Sequence, residues 1–179
     1  LKTFTWLALA ALWLFGTTAS MSATVLQTKD HALTGLFPGA VAVRKELFLS
    51  NAEKKQLELA ARCPFDSGWI VYYEMMDAKV LRARVFIDTS VVRTMPETVL
   101  VAVSPTASVQ AIRVLAFHEP PDYRAPQRWL NRFEDKVLND ALWMKRDIDA
   151  VTGATLTSWA TLRSIRRALS INQWLVSVP

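Results

Sequence analysis

Apolar residues in the middle of the chain follow the patterns typical of β-strands. Residues 68–76 (GWIVYYEMM) are rich in aromatic and β-branched side chains, and residues 81–87 alternate between apolar and mostly polar positions. Residues 98–103 are continuously apolar, as expected of a central strand, and residues 109–117 (VQAIRVLAF) form the last such segment. Short connections favour antiparallel pairing, so these segments predict an antiparallel sheet of about four strands.

Helical patterns flank this predicted sheet along the sequence. A capping box at residues 50–53 (SNAE) predicts a helix that ends at about Arg62. Beyond Pro126 the apolar period becomes helical and predicts a helix containing Leu130, Phe133, Val137 and Leu142. A last helix is predicted over about residues 157–174. Together these elements predict an α+β fold, with the antiparallel sheet flanked by helices.

The first residues have the pattern of an export signal. Lys2 precedes an unbroken apolar run at residues 7–15 (LALAALWLF), and small residues follow at 16–20. This pattern predicts a signal peptide over residues 1–23 and a single domain over residues 24–179. The alternative is an uncleaved N-terminal anchor. Either way, the domain is expected in the periplasm or at the extracytoplasmic face of the inner membrane.

Charge and cysteine content narrow the possible functions. The net charge is +5, and the 21 Lys and Arg residues are scattered among 16 acids, which argues against a nucleic-acid partner. Arg163, Arg166 and Arg167 form the densest basic stretch, which is either a solvated helix face or a membrane-surface contact. The single cysteine, Cys63, is either a packed apolar side chain or a reactive or intermolecularly bridged thiol.

A small-residue turn joins the two C-terminal helical segments at residues 147–158 (DIDAVTGATLTS). Gly153 can adopt a positive φ, and Ala154 adds almost no bulk. Hydroxyl groups follow near the predicted helix start, at Thr155, Thr157 and Ser158. The free amides and the dipole of a helix N-terminus favour a phosphate group at such a place. The residues alone are also compatible with an ordinary helix cap, in which Thr155 or Thr157 only satisfies backbone amides.

Residues 149–155 (DAVTGAT) resemble the flavinylation motif of the FMN-binding domain family. That motif consists of Asp, two variable positions, Ser or Thr, and then Gly-Ala-Thr. The family includes the C subunit of the sodium-translocating NADH:quinone reductase, the G subunit of the Rnf complex and small exported flavoproteins. In these proteins the last Thr of the motif carries FMN through a phosphoester, which a flavin transferase installs from FAD with magnesium.

The resemblance implies that Thr155 is the covalent FMN acceptor. It implies further cofactor-site residues around the motif: Asp149, Thr152, Gly153, Ala154, Thr157 and Ser158. Residues 117–121 (FHEPP) occupy the place of a Glu-Thr-Pro-Gly loop that lies against the flavin in the family, which adds His118 and Glu119. This chain keeps Glu119 and a proline but lacks the Thr and the Gly of that loop. No catalytic residue or metal ligand is indicated.

The function implied is electron transfer rather than stand-alone catalysis. An exported flavoprotein with covalently bound FMN would exchange electrons with membrane or periplasmic redox proteins, after modification by the flavin transferase. One alternative is a flavin-dependent reductase with its own small substrate. The other is a non-redox binding or assembly module of the cell envelope that has the fold without the flavin.

Overall fold

Five long antiparallel strands and one very short strand form the sheet at the centre of the protein. The computed structural model describes residues 24–177. The strands are β1 (Thr24–Val25), β2 (Val41–Phe48), β3 (Trp69–Asp77), β4 (Val80–Val91), β5 (Pro96–Val103) and β6 (Val109–Phe117). Their order across the sheet is β1-β6-β5-β4-β3-β2. The predicted α+β class is therefore confirmed, and the four predicted strands correspond to β3 to β6.

Helices cover both faces of this sheet. They are α1 (Lys29–Leu36), α2 (Asn51–Ala61), α3 (Gln127–Leu130) and α4 (Thr155–Ser177). Two short 3-10 turns, Pro121–Tyr123 and Asn131–Phe133, flank α3. The larger core cluster joins α2, α3 and α4 to one face of the sheet, and a smaller cluster joins α1 to the other.

The central strand β5 is buried on both faces. Val99, Val101 and Val103 pack in the cluster beneath α4, whereas Leu100 and Ala102 pack in the cluster beneath α1. Each of these side chains is at most 1% exposed. This burial explains why residues 99–103 are continuously apolar rather than alternating.

The predicted helix at residues 50–62 is confirmed as α2, and its capping box forms. The Ser50 hydroxyl accepts a hydrogen bond from the Glu53 amide at 3.3 Å, and the Glu53 carboxylate accepts one from the Ser50 amide at 2.8 Å. Strand β2 was not predicted. It is an edge strand whose residues are exposed apart from the partly buried Leu47. Its sequence therefore lacks the alternation of apolar and polar residues that marks a half-buried strand.

The helix predicted after Pro126 is wrong beyond its first residues. Only α3 and the following 3-10 turn are helical, and the chain then runs irregularly to residue 154. Asp135 and Lys145 adopt φ values of 61° and 63°, which turn the chain away from a helix. Leu130, Phe133 and Leu142 are nevertheless buried, because the irregular segment folds against β6 and α4, whereas Val137 is exposed. By contrast, the helix predicted over residues 157–174 is confirmed as α4, which is longer.

The predicted signal peptide at residues 1–23 lies outside the described residues. Within residues 24–177, none of the helices has both the length and the apolar character that crossing a bilayer requires.

The side chain of Arg166 connects three parts of the fold. It is 1% exposed and projects from the middle of α4. Its guanidinium donates to the backbone carbonyls of Ala61 (2.7 Å), Ala60 (3.3 Å), Leu142 (2.7 Å) and Asn139 (2.9 Å). The two alanines lie in the last turn of α2, where carbonyls lack intrahelical donors and a cation is favoured by the helix dipole. Burial lowers the pKa of this guanidinium, although an arginine stays protonated at neutral pH.

The basic stretch at residues 163–167 forms neither the solvated helix face nor the membrane-surface contact that the sequence suggested. Arg166 is buried, and the largely buried Arg167 pairs with Asp88 at 2.5 Å, so only Arg163 faces solvent. Cys63 is also buried, and burial raises the pKa of its thiol. A packed side chain, rather than a reactive thiolate, is therefore the interpretation that the structure favours for Cys63.

Replacing Arg166 should destabilise the whole fold. Arg166→Met keeps much of the side-chain volume but leaves several buried carbonyls without a donor, each of which costs about 1–3 kcal/mol. We expect urea unfolding to show a loss of about 3 kcal/mol or more. Arg163→Met, at the exposed position of the same helix, is the control and should change stability by less than about 0.5 kcal/mol. Equal stability of the two variants would contradict this role.

Candidate functional site

A short turn leads into the N-terminus of α4 and is held by one buried hydroxyl group. Gly153 adopts a φ of 81°, a conformation that residues with a Cβ rarely take. The Ser158 hydroxyl accepts a hydrogen bond from the Val151 amide at 2.9 Å and donates to the Ala154 carbonyl at 2.9 Å. Ser158 is 0% exposed and Ala154 is 3% exposed. Ser158 therefore fixes the turn from inside.

The hydroxyl of Thr157 has a second structural role. It donates to the Tyr123 carbonyl at 2.6 Å, and the residue is 1% exposed. This bond ties the 3-10 turn after β6 to the first turn of α4. The hydroxyls of Thr157 and Ser158 are thus both buried and both engaged with the backbone.

Thr155 is placed differently. It is the first residue of α4 and is exposed, as is Thr152 before the glycine. Within residues 24–177 neither side chain makes a hydrogen bond. Because the first amides of a helix have no intrahelical acceptor, Thr155 lies beside free N–H groups and the positive end of the helix dipole. The sequence predicted a helix that starts just after Thr155, whereas α4 begins at Thr155 itself.

A cavity of about 250 Å³ opens beside Thr155. Its lining comes from the turn between β4 and β5, from the 3-10 turn and from the start of α4: Val92, Arg93, Tyr123, Gly153, Ala154, Thr155, Leu156 and Thr157. The Arg93 guanidinium lies over the Tyr123 ring at 5.4 Å from its centroid, which favours one orientation of the cation. Helix amides and a guanidinium together give this cavity the character of an anion site.

Glu119 stabilises the turn that carries Arg93. The residue is 7% exposed, and its carboxylate accepts hydrogen bonds from the amides of Thr94 (2.8 Å), Met95 (3.0 Å) and Arg93 (3.2 Å). The bonds from Thr94 and Met95, followed by that from Arg93, hold the pKa of Glu119 below its usual value. Glu119 is thus placed behind the cavity, where it positions Arg93 by fixing its backbone.

The other residues that the sequence assigned to the site lie outside the cavity lining. His118 is half-buried, and its amide donates to the Pro96 carbonyl at 3.1 Å. The Asp149 carboxylate is 79% exposed and lies 3.7 Å from Arg132. The Asp149 carbonyl accepts a hydrogen bond from the Trp129 indole at 2.7 Å. The turn between Asp149 and Thr155 is therefore anchored by the Asp149 backbone, while its carboxylate is free to meet another molecule.

Four residues of the cavity lining were not among the predicted site residues: Val92, Arg93, Tyr123 and Leu156. Val92 and Arg93 belong to no motif, and they approach Thr155 only because β4 and β5 run beneath α4. Tyr123 lies in the 3-10 turn after β6, and Leu156 directly follows Thr155. For Val92 and Arg93, the only sequence signal is their position between the two strands predicted at residues 81–87 and 98–103.

A second cavity, of about 180 Å³, lies further along α4 around Asp88 and Arg167. Its cation is paired with a carboxylate, since the Asp88 side chain accepts hydrogen bonds from Arg167 at 2.5 Å and from Ser164 at 2.5 Å. The Arg167 guanidinium also donates to Ser90 at 2.7 Å. The cavity beside Thr155 is the better candidate site, because it has a cation that no carboxylate side chain binds within residues 24–177.

A buried carboxyl group lies between the sheet and α4. Glu97 on β5 is 1% exposed, and its Oε2 accepts a hydrogen bond from the Thr161 hydroxyl at 3.0 Å. Its Oε1 is buried without a hydrogen-bond partner in the described part of the chain. Burial raises the pKa of Glu97 to about 7; the Thr161 bond opposes this shift and the charge of Asp88 adds to it.

The raised pKa of Glu97 predicts a pH-dependent stability. As pH rises from about 4 to 7, the unfolded chain loses this proton before the folded protein does, so wild-type stability falls over that range. Glu97→Gln does not titrate, so at about pH 8 it should be more stable than wild type by about 2 kcal/mol, after allowance for an unpaired amide. The difference should shrink as the pH approaches about 4. Urea titrations of both proteins across this pH range test the prediction. If their free energies of unfolding changed with pH in parallel, the raised pKa of Glu97 would be contradicted.

Comparison with known proteins agrees with the motif. The model of the FMN-binding domain family matches residues 95–170, a range that contains β5, β6 and the Thr155 turn. No curated protein and no solved structure matches the chain. The match implies FMN as the cofactor and a flavin-binding redox protein as the functional class. Residues 95–170 are therefore a domain of the FMN-binding domain family.

Proposed function

We propose that this chain is an exported electron-transfer flavoprotein that carries FMN through a phosphoester to Thr155. One observation supports the acceptor above all. Of the hydroxyls near the turn, those of Thr157 and Ser158 are buried and bonded to the backbone, whereas Thr155 is exposed on the cavity wall. Thr152 is also exposed but does not line the cavity.

The residues around Thr155 fit the phosphodiester that this linkage would form between the threonine and the flavin. The first amides of α4 can donate to its oxygens, and the Arg93 guanidinium supplies a positive charge on the same wall. Tyr123 orients Arg93 from one side by stacking, and Glu119 fixes its backbone from the other. Bound FMN supplies the redox chemistry, while these residues anchor and orient it.

The turn itself is suited to modification by another enzyme. Gly153 and Thr155 are exposed, and open space surrounds the position that a Cβ on Gly153 would occupy. A flavin transferase that uses FAD and magnesium could therefore contact the acceptor directly. The exposed Asp149 carboxylate precedes the turn and could contribute to metal binding or recognition in that complex.

The cavity lining favours electron transfer over a reductase with its own substrate. Among the described residues, the lining contains no carboxylate and no imidazole that could move a proton to or from a substrate. The proposed redox partners are membrane or periplasmic proteins in the compartment to which the chain is exported. Failure of the loaded protein to reduce small oxidants catalytically, without a partner, would separate a carrier from a reductase.

Replacing Thr155 should abolish covalent flavin. Protein produced with an active flavin transferase should show flavin fluorescence on a denaturing gel, and Thr155→Ala should show none. Thr157→Val removes a buried hydroxyl of the same turn and should retain at least part of the fluorescence. In the wild type that hydroxyl is buried and donates to the Tyr123 carbonyl, so it is not the expected acceptor. Persistent fluorescence in Thr155→Ala would show that the acceptor is another residue. A wild-type protein without flavin would favour the non-redox module.

Replacing Asp149 should separate modification from folding. Asp149→Asn keeps the backbone carbonyl that accepts the Trp129 hydrogen bond but removes the charge. We expect reduced flavin incorporation, while the free energy of unfolding changes by less than about 1 kcal/mol. Arg132→Gln is the matched control, since it removes the nearby charge and should leave incorporation unchanged. Full incorporation in Asp149→Asn would remove this carboxylate from the site.

A further inference from the structure

We propose that Glu97 is a proton-binding group coupled to the redox state of the flavin, taking up a proton when the flavin is reduced and releasing it on oxidation. This inference rests on the proposed function, since it concerns FMN in the cavity beside Thr155. It assigns a role to a buried carboxyl group that neither the motif nor the anchoring of the cofactor explains.

Two chain segments connect the cavity to Glu97 over short distances. Thr157 lines the cavity, and Thr161, which donates to Glu97, follows it by one helical turn, or about 6 Å along the axis. On the sheet side, Arg93 lines the cavity and β5 begins at Pro96, so Glu97 is the second residue of the strand that leaves this turn. Glu97 therefore lies beneath the cavity rather than elsewhere in the core.

One oxygen of Glu97 is suited to hold a proton. Oε2 is occupied by the Thr161 hydroxyl, but Oε1 is buried without a partner within residues 24–177. An ionised carboxylate with such an oxygen is much more costly to bury than the neutral, protonated acid. The geometry thus favours a group that changes its charge in response to a small change in local potential.

The charged groups around Glu97 do not neutralise it. Asp88 on β4 is negative but is paired with Arg167 of α4, so that cation is committed elsewhere. Glu119, after β6, is engaged by the amides of the turn between β4 and β5. Arg93 in that turn faces the cavity and Tyr123. From α4, Glu97 receives only the Thr161 hydroxyl, so the pKa of about 7 leaves it poised to titrate near neutral pH.

The coupling follows from charge balance. An electron from a reduced partner protein adds negative charge to the cofactor, and Glu97 responds by forming an O–H bond with a proton from water. Oxidation removes the electron and the proton returns to solvent. A unit charge about 10 Å away, at an effective permittivity of about 20, changes proton affinity by roughly tenfold. Thermodynamic reciprocity requires the ionised carboxylate to lower the flavin midpoint potential by an amount that corresponds to the same coupling free energy.

The test compares midpoint potentials of flavin-loaded wild type and Glu97→Gln across pH. The two should agree at about pH 5, where Glu97 is protonated in both redox states. At about pH 9, where it is ionised, wild type should lie lower by about 59 mV for a tenfold coupling in a one-electron couple, or about 30 mV for two electrons. Thr161→Val keeps the carboxyl but removes its donor, so it should move this transition to higher pH.

Infrared difference spectra of the oxidised and reduced protein provide the second readout. Near neutral pH, reduction of wild type should produce the C=O band of a protonated carboxylic acid. The band should be missing in Glu97→Gln and present in the control Glu134→Gln, which alters an exposed carboxylate. The inference would be overturned if the potential difference between wild type and Glu97→Gln did not vary with pH and the C=O band were the same in both proteins. Neither result would affect the flavin assignment. Protein that binds no flavin at all would overturn the proposed function and the coupling with it.

Discussion

The buried guanidinium of Arg166 is the interaction on which the rest of the structure depends. It satisfies carbonyls at the end of α2 and in the irregular segment around residues 139–142, and it does so from the centre of α4. A single cation therefore sets the position of α4 against both neighbours. Since α4 begins with Thr155, that position also determines where Thr155 and the helix amides meet the turn between β4 and β5.

Helix α4 presents different chemistry on its different sides. Its sheet-facing side carries buried hydroxyls that hold other parts of the protein: Thr157 holds the 3-10 turn, Thr161 meets Glu97 and Ser164 meets Asp88. Its first residue, Thr155, faces the cavity and solvent. The same helix thus supplies Thr155 at the cavity and, six residues further along, the Thr161 hydroxyl that is bonded to a titratable carboxyl group. Modification and proton binding can be separated experimentally for this reason.

Local sequence rules predicted those parts of the fold that local interactions determine. The capping box at Ser50, the strands β3 to β6 and helix α4 all follow from patterns within a few residues. The irregular chain after α3 was not predictable, because the positive φ at Asp135 accompanies a hydrogen bond from its amide to the Val109 carbonyl of β6, a contact between residues distant in sequence. In the site, the motif identified the Thr155 turn. Arg93 and Glu97 could not be found, since their roles depend on how Glu119 and α4 pack against the hairpin.

The acceptor hydroxyl is the central claim, and peptide mapping of the intact protein tests it most directly. Trypsin should release residues 147–163 (DIDAVTGATLTSWATLR) as one peptide containing every candidate hydroxyl of the turn. In protein made with an active flavin transferase, this peptide should carry the mass of FMN less water, and its fragment ions should locate the phosphoester on Thr155. An unmodified peptide, or FMN on Thr152, Thr157 or Ser158, would contradict the account.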